Sequence, residues 1–285
     1  MANLKDIKKR IRSLKNTSQI TKAMKMVSAA KLRRAQESIV AARPYAEKMQ
    51  EVLVNLASVA DPSANPLLEV RPATRVGVLL FTSDRGLCGG FNANLIKAAE
   101  RLIAEKSKSS EIVYTFYGKK GGDYFKRRGK IARNIYPLAG SGAGYDRALE
   151  MSGDLIEAYV AGEIDEVHIV YGKFRSAISQ IPTTEQILPI ARDESAQLAG
   201  SVDVLYEPGA DAILQKLLPK FVASQIYRAI LETAASEHGA RMSAMDSASK
   251  NAKEMIGKLS IKYNRARQAA ITTELMDIIN GAKAV

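Results

Sequence analysis

Residues 3–56, NLKDIKKRIRSLKNTSQITKAMKMVSAAKLRRAQESIVAARPYAEKMQEVLVNL, decide the fold. Spacings of four and three place Ile7, Ile11, Leu14, Ser18, Thr21, Lys25, Ser28 and Leu32 on one stripe, which Ala35, Ile39, Ala42, Ala46, Met49, Leu53 and Leu56 continue. That is a heptad-like seam on one helix. It is apolar at both ends and polar from Ser18 to Ser28, while Ile20, Met24 and Val27 form a second apolar track on a rotated face. Pro44 lies inside the stripe, where it removes one backbone hydrogen bond at a cost of roughly 3 kcal/mol, so the helix is expected to bend near Arg43 and continue.

Working outward, the prolines and turn formers of DPSANP (residues 61–66) close this first segment. Short apolar runs then alternate with Gly-rich turns and helical patterns. Strands are expected at 76–81, 112–117 and 167–171, with helices at 92–106, 119–128 and 145–161 between them, the signature of an α/β unit with a mostly parallel sheet. Residues 177–190 add an edge strand, since Pro182 and Pro189 do not suit a central one. From about Gly209 a second helical track runs to Ala282, through Leu217, Phe221, Leu231, Met245, Ala252, Leu259 and Ala270.

At 1.5 Å per residue the segment after Pro219 would be about 96 Å long and the N-terminal element about 80 Å. Neither stripe could be buried against one small domain. The expected architecture is therefore α/β: two long terminal helices in an antiparallel coiled coil plus a central Rossmann-like domain, divided at 1–60, 61–208 and 209–285. The many Ala and Ser residues of the seam allow close approach but bury little apolar area, which suits a shaft enclosed by something else.

The net charge is +12, and residues 1–34 alone hold 11 Lys or Arg against Asp6. A basic helix of this kind points to an anionic partner or to a solvated face. One reading is a nucleic-acid-binding coiled coil, but residues 1–34 hold no aromatic side chain for base stacking. No stretch approaches the roughly 18 apolar residues that span a bilayer. Cys88 is the sole cysteine, and His168 and His238 are the sole histidines, so a Cys-rich or histidine metal cluster is excluded and a hydrolase triad lacks support. SDRGLCGGFN, residues 83–92, follows a strand and precedes a helix as a phosphate loop does, yet lacks the Gly-Lys-Ser/Thr ending. Gly140, Gly142 and Gly144 follow Pro137 and a weak strand. Neither loop points to a cofactor.

Four blocks resemble one family. ITTELMDIINGAKA (271–284) is similar to the signature of ATP synthase gamma subunits of the bacterial type; IRSLKNTSQITKAMKMVSAAKLRRAQ (11–36), SDRGLCGGFN and SEHGARMSAMDSASKNA (236–252) resemble its other characteristic segments in family order. The resemblance implies a noncatalytic central rotor, without cofactor or metal, turning inside three alpha and three beta subunits as proton flow through the membrane sector drives ATP synthesis. It implies a peripheral position on the cytoplasmic face of the bacterial plasma membrane. Met24, with Lys22 and Lys25 beside it, matches the helix face turned to the beta subunits, although a flexible thioether serves equally as packing filler. Arg241, Gln268, Thr272 and Glu274 match polar contacts with beta loops. Leu205, Tyr206 and Glu207 match the foot that meets the c-subunit ring and the epsilon subunit.

Overall fold

The computed structural model describes residues 4–59, 65–138, 144–190 and 209–283. Helix α1 spans Leu4–Val59, unbroken by Pro44. A 3-10 turn at Pro66–Leu68 is capped by Asn65, whose side chain accepts from the Leu67 N–H at 3.0 Å. There follow β1 (Arg75–Phe81), α2 (Phe91–Lys106), β2 (Glu111–Tyr117), α3 (Lys119–Lys126), β3 (Ala132–Tyr136), α4 (Gly144–Val160), β4 (Glu166–Phe174), β5 (Gln180–Leu188) and α5 (Ala210–Lys283). By its contacts the chain forms two compact units, Met1–Ser28 with Arg241–Val285, and Ala29–Ala240.

In the first unit the buried positions keep heptad spacing: Ile7, Thr21 and Ser28 on α1, Met245 and Ala252 on α5. Small and hydroxyl side chains fill the polar centre of the seam, and the Thr21 hydroxyl returns a hydrogen bond to the Ser18 carbonyl at 3.1 Å. Lys25 reaches across to Asp246 at 2.6 Å, and Lys250 holds the other Asp246 oxygen at 2.8 Å. Ile20 and Val27, the rotated track, stay exposed, and Met24 is half-buried. From Ile271 onward every described side chain is exposed.

The second unit is built on a five-stranded sheet of order β3-β2-β1-β4-β5. The first four strands run parallel and β5 pairs antiparallel with β4 at one edge, where Pro182, lacking an N–H, removes no interior ladder bond. Side chains alternate across the sheet. Leu79, Phe81, Tyr117, Ile169 and Tyr171 face a core with Met151, Leu155 and Tyr159 of α4 and with Leu218, Val222 and Ile226 of α5. Val78, Leu80, Tyr114 and Phe116 face Leu95, Ala99 and Leu102 of α2 and Phe125 of α3.

Two features were not read from the pattern. The short edge strand β3 is only partly covered, with its burial alternating along five residues, so it carries no strong apolar run. Between Val222 and Ala240, α5 is covered on nearly every side, with Ala223, Ala229, Thr233 and Ser236 among the fully or nearly fully buried residues. A helix buried all round has more than one partner surface. Met49 and Leu53 of α1 share the apolar cluster that also holds Leu214 and Leu218 of α5.

Candidate functional site

In an open parallel sheet the ligand crevice lies beyond the carboxyl ends of the strands where the order of connection reverses. Here α2 and α3 lead from β1 toward β2 and β3, and α4 crosses back to β4, so the reversal falls between β1 and β4. That place is filled. An added Cβ on Gly172 of β4 would sit 2.9 Å from the Phe91 ring, and Ser236 of α5 donates to the Gly172 carbonyl at 2.8 Å. Glu232 of α5 accepts from the Phe174 N–H at 3.1 Å. Burial pushes the Glu232 carboxyl up, against that hydrogen bond and the pull of Arg228.

The loop at 83–92 is tied to the start of α3, where Asp84 accepts from the Lys119 N–H at 2.8 Å, and is closed by bonds between its own ends. Asn92 accepts from the Ser83 N–H at 3.0 Å and donates to the Ser83 hydroxyl at 2.7 Å and to the Cys88 sulfur at 3.3 Å. Leu87 and Gly89 take positive φ of 64° and 57°, which Gly89 adopts at no steric cost. Its residues close a tight turn, as their glycines allow, and Cys88 is buried.

A second polar cluster joins α5 to the sheet edge: the Tyr171 hydroxyl donates to Glu185 at 2.8 Å, and Arg228 pairs with the other Glu185 oxygen while its guanidinium lies 5.7 Å from the Tyr171 ring. Burial holds the Tyr171 phenol above its ordinary pKa. At the opposite end of the strands, Glu166 accepts from Lys106 at 2.8 Å and lies 2.8 Å from His168. Burial holds His168 below its usual pKa despite Glu166. Burial also pushes Glu166 up, but Lys106 and His168 bring it to a net lowering. Among the described residues no group of three His, Cys, Asp or Glu side chains is placed to hold a metal, and no helix is long and apolar enough to cross a membrane.

The residues singled out in the sequence lie on the two long helices. Lys22 is exposed and Met24 half-buried; Lys25 is tied to Asp246. Arg241 is half-buried, and Gln268, Thr272 and Glu274 are exposed, the Thr272 hydroxyl donating to the Gln268 carbonyl at 3.0 Å. Leu205, Tyr206 and Glu207 lie outside the described residues, as do Gly140 and Gly142. Asp246 was not among the residues singled out in the sequence, although its i,i+4 spacing from Lys250 was a signal.

The family model described as ATP synthase matches residues 3–285. The ATP synthase gamma chain of Geobacter metallireducens is 56% identical over 286 residues, covering 100% of this chain and 99% of that one. That of Moorella thermoacetica is 46% identical over 285 residues, with both chains fully covered. The chain belongs to the ATP synthase gamma family. Among solved structures, the gamma-family fold is matched in the central stalk and c-ring structure of the Tetrahymena thermophila mitochondrial ATP synthase, with a TM-score of 0.61 at 25% identity over 81% of this chain and 99% of that one. The rotor structure of the Euglena gracilis mitochondrial ATP synthase gives 0.67 at 20% identity, covering 94% and 98%, a likeness of fold. As a gamma chain it is the central-stalk subunit of a membrane-associated enzyme complex, and the nucleic-acid reading is displaced.

Proposed function

We propose that this chain is the rotating shaft that couples proton flow through the membrane sector to ATP synthesis or hydrolysis on the beta subunits, contributing geometry and no catalytic group of its own. It works inside three alpha and three beta subunits, bears on the c-subunit ring and the epsilon subunit, and lies on the cytoplasmic face of a bacterial plasma membrane. Its functional parts are the helical segments 1–60 and 209–285 and the α/β domain 61–208.

The observation that carries the reading is the bare end of α5. Ile271, Leu275, Met276, Ile278 and Ile279 are exposed along a helix that has no apolar cover there among the described residues. Contiguous apolar exposure of this kind marks a surface that works against a partner. A surrounding ring of subunits supplies that cover and leaves the helix free to turn. Met24 and Lys22 on α1, with Arg241, Gln268, Thr272 and Glu274 on α5, are the groups proposed to touch beta loops at one angle and release them at another. Lys25 does so only by exchanging Asp246 for a beta group. Leu205, Tyr206 and Glu207 are proposed to meet the c ring and epsilon.

The test is co-purification of the tagged chain from its membranes. One copy with three alpha and three beta subunits is the expected result. Recovery of the chain without them, from membranes that hold an active ATP synthase, sinks the proposal.

A further inference from the structure

The segment KRRGKIAR, residues 126–133, joins α3 to β3 and holds five cations and no acid. β3 is an edge strand, at the side of the sheet opposite β5. Ile131, at the turn, is 89% exposed, more than any other large apolar residue described. Gly129, at φ 74°, has open space where a Cβ would lie. Some of the charge is held locally: Arg133 pairs with Glu163, and the Arg128 guanidinium lies 3.7 Å from the Tyr124 ring centroid and 3.9 Å from Glu100. Arg127 donates to the Asp123 carbonyl, which leaves its charge uncompensated, and Lys126 and Lys130 make no ion pair among the described residues.

We infer that this corner docks on an anionic lipid surface, Ile131 entering the headgroup layer while Lys126, Arg127 and Lys130 pair with lipid phosphates. Shape and charge together select such a surface. A protein interface needs a patch with an apolar centre and a complementary pocket, and one apolar side chain on a convex turn offers neither. A fluid interface closes around such a tip without a preformed pocket, and cations beside it add attraction to anionic headgroups. The inference stands apart from the shaft reading, since it concerns the α/β domain alone.

The chain has no tryptophan, so Ile131→Trp in the full-length protein places one fluorescent reporter at the tip without disturbing a buried side chain. The probe is vesicles of equimolar phosphatidylcholine and phosphatidylglycerol, beside vesicles of phosphatidylcholine alone. Expected are a blue shift and quenching by bromine-labelled lipid on the anionic vesicles only. Replacing Lys126, Arg127 and Lys130 together by Gln in the Ile131→Trp variant should weaken binding roughly 100-fold. The basic start of α1 also attracts such vesicles, and the reporter separates the two: a chain that sediments with anionic vesicles while the introduced indole stays in water overturns the inference. So does an indole emission that shifts only when the other ATP synthase subunits are added, which assigns the corner to a protein partner.

Discussion

Gly172→Ala tests how α5 is held to the sheet, because the new methyl group has nowhere to go. Its carbon would lie 2.9 Å from Phe91 Cε2, 3.4 Å from Phe91 Cζ and 3.3 Å from Ser236 Cβ. Phe91 is 5% exposed and Ser236 fully buried, so relief requires either the ring to leave its packed site or α5 to move off β4. Moving α5 also stretches the hydrogen bond from Ser236 to the Gly172 carbonyl. Overpacking of this kind costs about 1–3 kcal/mol, or about 2–4 °C in Tm for each kcal/mol in a domain of this size. The control is the same substitution at Gly153, in the middle of α4, where no atom lies within 4 Å of the added carbon. Helix propensity there favours alanine by about 0.5–1 kcal/mol. Denaturant titration of the isolated chain should therefore move in opposite directions for the two variants. A Gly172→Ala protein as stable as the parent would refute the close packing described here. Phe91→Leu, by shortening the obstructing ring, should recover part of the loss in the double variant.

Met24→Lys adds a cation able to grip acidic groups on beta, and is expected to lower ATP-driven proton pumping per ATP hydrolysed in inverted membrane vesicles; an unchanged ratio removes Met24 from the coupling surface. Stability should fall in two stages as pH is lowered. His168 sits below its ordinary value near 6.5 because of burial, so beneath that pH the unfolded chain takes up a proton that the folded ring resists, and stability drops until the folded pKa is passed. Asp246, lowered to about 2 first by Lys25 and then by Lys250, contributes stability that is complete above its ordinary value of 3.8 and is lost as pH falls through about 2. His168→Gln should flatten the upper stage and Asp246→Asn the lower; profiles that superimpose on the parent's contradict the assignment. Deleting residues 271–285 removes only exposed side chains among those described, so the isolated chain should keep its stability within about 0.5 kcal/mol, while the pumping ratio of the assembled enzyme declines. A large loss of stability would mean that this end is packed.

The stripe on residues 3–56 was legible because its geometry depends on spacing alone. Ile7, Thr21, Ser28, Leu32, Met49 and Leu53 are all buried, and the positions between them are half-covered through Ala46. Pro44 did not hide the helix, since a proline removes one bond of a long ladder. The parallel strands were legible for another reason: β1 and β4 are covered on both faces and read as continuous apolar runs. β3 has one open edge and alternating cover, so its five residues resemble a loop. The one track read along α5 did not reveal that its middle is covered on nearly every side. Ala223, Ala229, Thr233 and Ser236 are small, and small residues carry little hydrophobic signal even where, as here, they let a helix lie close against a sheet.

The candidate partner residues were named through resemblance alone, and Met24 and Lys25 make the physical reason plain. The two are neighbours, Lys25 in the polar stretch of the seam and Met24 on the rotated apolar track, and by charge alone Lys25 is the better candidate for an acidic partner. In the folded chain Lys25 is already matched by Asp246, across the pair of helices, and Asp246 is shared with Lys250. A cation beside a seam is tolerated when the facing helix supplies the acid, and such a cation then fixes register as much as it recognises anything outside. Lys22 lies on the exposed side, with no ion pair among the described residues. The charge that remains available to another chain is thus set by α5, residues more than two hundred positions away, which no pattern within α1 contains.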